Sequence, residues 1–299
     1  MIRKETLPKV LLLLAGLVFF SANTVYFLDD DGQKILAPID ESFHFDFDHI
    51  RAKGPYLNVK SALLVNFDNG EVVYAKNADK IRSIASITKL VSAMVLLDNG
   101  VDLNKTEKIT RQDAYHSSKS RLSVGFELTV YDLLHASLMN SDNRATRALA
   151  RATCGSQEAF VREMNAKVKE LGLENTIFYE PTGLDSRNVS TATEVAKILQ
   201  YAYQYDLIRQ ITSTRRYNVK IVNRKNTHRQ MANTNLLIHS PYKVLSGKTG
   251  YIRAADYCLC TMIRNKEGKK LTLVVLGAPG DRTRFREARK LANWGFRQV

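Results

Sequence analysis

A chain of 299 residues, 44% hydrophobic and 25% charged, has the apolar content to bury a real core and is not of the disordered class. Its 44 Lys and Arg against 30 Asp and Glu leave a net charge of +14, which alone points to an anionic partner: nucleic acid, a membrane surface or an acidic polymer. Three cysteines, an odd number, and six histidines with no His-x-x-x-His pair offer no metal-ligand spacing, so neither a metal nor an organic cofactor is implied.

The first nine residues carry Arg3, Lys4 and Lys9, and Val10 to Phe20 is an unbroken apolar or small run. That is too short for a spanning helix and reads as a secretory signal over residues 1–22, cleaved after Ala22 or kept as an anchor. Export to the periplasm removes nucleic acid from the partners and turns the positive charge toward an envelope polymer or lipid head groups. Residues 23–59, with Asp29-Asp30-Asp31 and the aromatic "FHFDFDH", read as a lead-in with little structure of its own.

Two apolar stretches around Asp68-Asn69-Gly70 then predict a β-hairpin. Ser86 to Leu97 predicts a helix, apolar on several faces and therefore buried, ending at Gly100. From Thr129 to Tyr205 the pattern is mostly helical, with starts at Thr129, Ser156 and Thr193. Short strands follow at Val244–Gly250, Tyr257–Arg264 and Leu271–Leu276, and Asp281 to Arg297 closes as a basic amphipathic helix. Strands, helices, strands, helix predict an α/β (α+β) domain over 60–299, an antiparallel sheet flanked by helices, with a helical lobe inserted at about 101–215. Cys258 and Cys260 share one face of a strand and read as small buried residues, with a bridge from Cys154 left open. The stretch Arg215 to Gln230, "RRYNVKIVNRKNTHRQ", reads as a solvated face near the cleft, with contact to anionic wall polymer as the sharper alternative.

Three short motifs stand in order: Ser86-Ile87-Thr88-Lys89, Ser141-Asp142-Asn143 and Lys248-Thr249-Gly250. The first two are about as common as chance predicts in a chain this long, so the weight lies in all three together. A serine hydroxyl attacks only when a base takes its proton. Ser86 and Lys89 are one helical turn apart, and the helix N-terminus favours the negative charge that develops there. A lysine becomes a base only when desolvated or set beside a second cation; burial of the helix would do the first and Lys248 the second. Backbone N–H groups of Ser86 and Tyr251 would make an oxyanion hole, and Gly250 would bind substrate by letting its backbone lie close against that strand.

With "RSIASITKLVSAMVLLD", "SLMNSDNRATRALA", "FYEPTGLD" and "GKTGYIRAADYCLC", the chain from about Lys60 onward resembles low-molecular-mass penicillin-binding proteins of the D-Ala-D-Ala carboxypeptidase and endopeptidase family, nearest the penicillin-binding protein 7 type. The resemblance implies the penicillin-binding-protein/β-lactamase-like transpeptidase fold, with Ser86 acylated, Lys89 its base, Ser141 relaying the proton to the leaving amine, Asn143 holding a substrate amide, Lys248 tuning the site and Thr249 binding substrate carboxylate. Asp142 is given no chemistry. It further implies peptidoglycan peptide stems as substrate, β-lactams as covalent inhibitors, and contact with the membrane surface or wall-synthesis proteins. Because the chain stops at Val299 without a further β-domain, a D-Ala–diaminopimelate endopeptidase is expected, with a terminal D-Ala carboxypeptidase or a non-turnover β-lactam-binding protein as alternatives. Asp256 departs from the family, which more often has glycine there. Glu180 lacks the surroundings of a deacylating β-lactamase glutamate and is expected to be a loop residue.

Overall fold

A computed structural model describes residues 19–21, 24–28, 34–36, 43–48, 50, 54–117 and 120–299. The signal assigned to residues 1–22 lies outside these apart from Phe19–Ser21. Phe19–Ser21, Thr24–Leu28 and Lys34–Leu36 form a small antiparallel sheet in that order, so the lead-in has more regular structure than its composition suggested. Among the described residues no helix is long and apolar enough to cross a membrane.

From Phe43 onward the chain is built on one five-stranded antiparallel sheet. Its strands are β1 (Ser61–Asn66), β2 (Val72–Lys76), β3 (Lys243–Ile252), β4 (Asp256–Arg264) and β5 (Lys270–Ala278), in the order β3-β4-β5-β1-β2. The first strand therefore pairs with the last, Leu271 opposite Asn66 through Leu276 opposite Ser61, as expected. The inner strands are buried on both faces, Leu63 and Val65 as fully as Ala62 and Leu64, so each side of the sheet needs a helical cover. Gly70, at φ +74°, makes the tight turn between β1 and β2.

Among the described residues seven helices of eight residues or more flank the sheet: α1 (Lys89–Asp98), α2 (Val130–Met139), α3 (Asn143–Cys154), α4 (Gln157–Glu170), α5 (Ala192–Gln204), α6 (Asp206–Ser213) and α7 (Asp281–Gly295). α7 lays Phe285, Ala288, Leu291 and Ala292 on one sheet face, against Leu64, Leu259, Leu271 and Leu273. α5 covers the other face and packs against α1, whose residues Lys89 to Leu96 are all buried. Their starts follow capping chemistry: the hydroxyls of Thr129, Ser156 and Thr191 each accept a backbone N–H three residues on.

Two local features differ from the expectation. The helical block contains short strands: Thr106–Lys108 pairs with Glu127–Thr129 inside it, and Val189–Ser190 pairs with Arg82–Ser83 from before the block. The basic stretch is itself a β-hairpin, Arg216–Lys220 against His228–Ala232, hidden in the sequence because each strand buries little apolar surface. The departure at Asp256 is accommodated: its φ is +54°, a left-handed conformation that aspartate tolerates better than most residues, and its carboxylate meets Lys60 Nζ at 2.8 Å. All three cysteines are free thiols; Cys258 and Cys260 are buried.

Leu64 is fully buried in the middle of β1. Leu64→Ala should lower the unfolding free energy by about 2–5 kcal/mol, read as a drop in the urea midpoint at unchanged slope.

Candidate active site

Ser86 sits in a single 3-10 turn, Ala85–Thr88, that runs directly into α1. Ala85, just before it, has φ +48°, a conformation costing an alanine about 1–2 kcal/mol. The turn is clamped from two sides. A Cβ on Gly183 would lie 2.0 Å from the Ala85 carbonyl oxygen, and one on Gly250 would lie 2.7 Å from the Ile84 oxygen and 3.1 Å from the Ser86 nitrogen. The missing side chain of Gly250 thus admits the protein's own backbone, which brings β3 against the serine.

Lys89 is 0% exposed, one of the largest fully buried side chains of the described residues. Its Nζ lies 2.9 Å from Ser86 Oγ, 2.7 Å from Asn143 Oδ1 and 2.6 Å from the Thr182 carbonyl oxygen. Burial pulls its pKa down to about 7, with Glu180 and Asp142 opposing and Arg147 assisting. An ammonium donates to all three neighbours. A neutral amine has two N–H groups for the two carbonyl-type acceptors, which leaves its lone pair facing the Ser86 hydroxyl.

Ser141 lies between α2 and α3 at φ +57°. Asp142 caps α3, accepting from the N–H groups of Arg144 and Ala145 at 3.0 and 3.1 Å, while its other oxygen accepts from Ser120 Oγ at 2.6 Å. That cap sets Asn143 as the first residue of α3, aimed at Lys89. Lys248, 1% exposed, donates to Ser141 Oγ at 3.0 Å and to the Thr249 carbonyl at 2.9 Å. Its pKa falls well below the ordinary lysine value, first through burial and then through repulsion from Lys89 and Arg284. Burial, then, is the main cause at both amines; Lys248, the second cation expected to activate Lys89, is not among the causes of its fall, and the repulsion between the two lowers Lys248 instead. Thr249 Oγ1 is 2.6 Å from Thr234 Oγ1, and the Thr234 N–H donates to the Met139 carbonyl at the end of α2. Tyr251, 51% exposed, stacks on Tyr257 at the rim.

Every residue of the three motifs expected to act is therefore gathered around two Ser–Lys pairs. Sequence reasoning missed the loop that completes the first pair. Glu180 is a loop residue, as expected, but it is the loop's hub. One carboxylate oxygen accepts from the Thr182 N–H and hydroxyl at 2.9 and 2.6 Å, the other from the N–H groups of Gly183 and, at 2.7 Å, Leu184. Asn188 ties down the far side, donating to the Glu180 carbonyl at 2.7 Å and accepting from the Tyr179 N–H at 2.8 Å. Together they point the Thr182 carbonyl at Lys89. Arg284, from α7, braces the strand by donating to the carbonyls of Gly250 and Cys258. The only sequence signal for the loop was a glutamate before Pro-Thr-Gly.

Residues 48–280 match the peptidase family S11, described as D-alanyl-D-alanine carboxypeptidase. The chain is 38% identical over 248 residues to the D-alanyl-D-alanine endopeptidase of Escherichia coli, covering 81% of this chain and 79% of that protein. It is 35% identical over 248 residues to the D-alanyl-D-alanine carboxypeptidase DacF of Bacillus subtilis, covering 80% of this chain and 62% of that one. Among solved structures, the Streptomyces K15 DD-transpeptidase superposes with a TM-score of 0.77 at 28% identity, over 82% of this chain and 99% of that one.

Glu180→Ala removes acceptors from several loop donors at once, so it should cost at least about 2 kcal/mol by thermal or urea unfolding. Glu180→Gln, which keeps one acceptor oxygen, should cost less.

Proposed function

We propose, for a chain that belongs to the S11 family of D-alanyl-D-alanine carboxypeptidases and is a serine peptidase, that it hydrolyses D-Ala–diaminopimelate cross-links of peptidoglycan in the periplasm. The observation that carries this reading is the fully buried Lys89 amine, 2.9 Å from Ser86 Oγ with a pKa brought to about 7. The endopeptidase preference is supported by the 38% identity to the enzyme of that name. The periplasmic location is supported by the basic start and apolar run of the N-terminus.

In this reading the Ser86 hydroxyl gives its proton to neutral Lys89 as Oγ attacks the D-alanyl carbonyl carbon. The oxyanion faces the Ser86 and Tyr251 N–H groups, where fixed dipoles lower the barrier. Ser141, hydrogen-bonded to Lys248, relays to the departing amine the proton that Lys89 took, and the C–N bond breaks to leave an acyl ester on Ser86 and Lys89 neutral again. Thr249 and Asn143 hold the substrate's carboxylate and amide. Water then attacks the ester, Lys89 taking its proton and returning it to Ser86 Oγ. A β-lactam enters by the same first step, its ring opening onto Ser86.

The same geometry serves a carboxypeptidase, a reading favoured by the carboxypeptidase description of the family. Incubating the full chain with a cross-linked muropeptide dimer and a pentapeptide monomer separates the two. Conversion of dimer to monomers is expected; an untouched dimer with a shortened pentapeptide would mean a carboxypeptidase. Labelling by fluorescent penicillin with neither product formed would mean a non-turnover binding protein.

Ser86→Ala should abolish labelling by fluorescent penicillin, and Lys89→Ala should slow it by about 10²–10⁴-fold. The pH profile tests the base. Only neutral Lys89 accepts the proton, and its pKa lies near 7. The acylation rate should therefore fall about tenfold per pH unit below 7 and level off above it. A rate flat from pH 5 to 9 would remove Lys89 from that role.

A further inference from the structure

The basic hairpin is the part of the surface that the chemistry above does not use. Residues 215–230 contain no Asp or Glu, and no described carboxylate forms an ion pair with Arg215, Arg216, Lys220, Arg224, Lys225 or Arg229. Unpaired like charges repel, so crowding them on one hairpin costs stability unless something binds there.

The hairpin is also held rigidly. Its inner face stacks Tyr217 on His135 with ring centroids 3.9 Å apart, and the Tyr217 hydroxyl and the Lys220 N–H donate to the two oxygens of Asp132 at 3.0 and 3.1 Å. Val219 and Met231 are buried beneath it. At the tip the Val222 N–H donates to the Glu127 carbonyl, and Asn223 Nδ2 donates to the Gly125 carbonyl. The outer face therefore has a set shape: Arg216, Asn218 and Lys220, with Gln230 and His228 directly across from the last two. That face borders the site. Arg216 pairs with Ala232, two residues before Thr234, whose hydroxyl meets Thr249; two residues of chain span at most about 7 Å.

We propose that the outer face of this hairpin docks the carboxylate-bearing peptide stems of the wall polymer beside the cleft. This rests on the peptidoglycan reading above and extends it from the bond cleaved to the polymer held. Arginine and lysine suit carboxylates, and the paired Asn218 and Gln230 amides suit peptide groups. A lipid surface fits less well: the strands' outer face has no large apolar side chain to insert, and Val222 at the tip, 45% exposed, stands alone.

The test is co-sedimentation of the full chain, in a Ser86→Ala background so that turnover does not consume the ligand, with purified peptidoglycan sacculi. R216A/K220A/R224A/K225A should weaken pelleting by about tenfold or more, and raising salt should weaken that of the parent protein. A control of equal charge loss on other exposed cations, K243A/K266A/R282A/R289A, should pellet as the parent does. Sacculi whose carboxylates have been amidated should hold the parent no better than untreated sacculi hold the hairpin variant. The proposal is overturned if the hairpin variant pellets like the parent, if the control falls equally, if amidation has no effect, or if hairpin-dependent binding goes to phosphatidylethanolamine–phosphatidylglycerol vesicles instead. With Ser86 restored, the hairpin variant should take up fluorescent penicillin and cleave soluble dimer at the parent rate. Failure of the parent itself in those two assays would strike the functional reading, whatever the sedimentation shows.

Discussion

Two lysine amines held out of water at one site set the terms for the rest of this structure. An ammonium in the interior is expensive unless it is satisfied or gives up its proton. Lys89 does both by degrees, surrounded by Ser86 Oγ, Asn143 Oδ1 and the Thr182 carbonyl, with its pKa near 7. Lys248 is answered by Ser141 Oγ and the Thr249 carbonyl. The acceptors come from four parts of the chain, so the amines are satisfied only when the turn into α1, the Ser141–Asn143 segment, the Glu180 loop and β3 are all in place. Stability and chemistry meet there: the contacts that make burial tolerable also aim each amine at a serine.

The backbone around those serines carries strain of its own. Ala85 and Ser141 sit at positive φ without being glycine, which persists only where the surroundings over-determine it. At Ala85 they are Gly183 and Gly250, whose lack of side chains lets two segments press on the turn. At Ser141 they are the Asp142 cap on α3 and the Lys248 hydrogen bond to the serine itself. Asp142 and Glu180 thus contribute as positioning residues. Each carboxylate is spent on backbone N–H groups, and each also sits close enough to Lys89 to oppose the fall in its pKa.

Charge is distributed by the same logic. Inside, two buried amines are met by neutral acceptors, and no described carboxylate is bonded directly to either. Outside, the excess that gives +14 is concentrated in part on a hairpin that α2 holds in place through Asp132 and His135. α2 also ends at Met139, two residues before Ser141, so a single helix supports both that serine and the basic surface beside the cleft.

Much of this was legible in the sequence. Ser86 and Lys89 were readable as a pair because helical spacing is local, and the sheet order followed from strands placed at both ends of a helical block. Helix starts at Thr129 and Ser156 were readable because capping is also local. The Glu180–Asn188 loop, the clamp of Gly183 and Gly250 on Ala85, and the brace from Arg284 were not, since each joins residues far apart in the chain through backbone atoms that every residue shares. The basic hairpin was hidden because its strands bury little apolar surface. The sequence by itself determined which side chains could act and the class of fold that would carry them. The apolar run of α1 already pointed to a buried Lys89; tertiary structure alone decided which groups exclude the water and meet the amine, because Asn143 and Thr182 lie far from it in the chain.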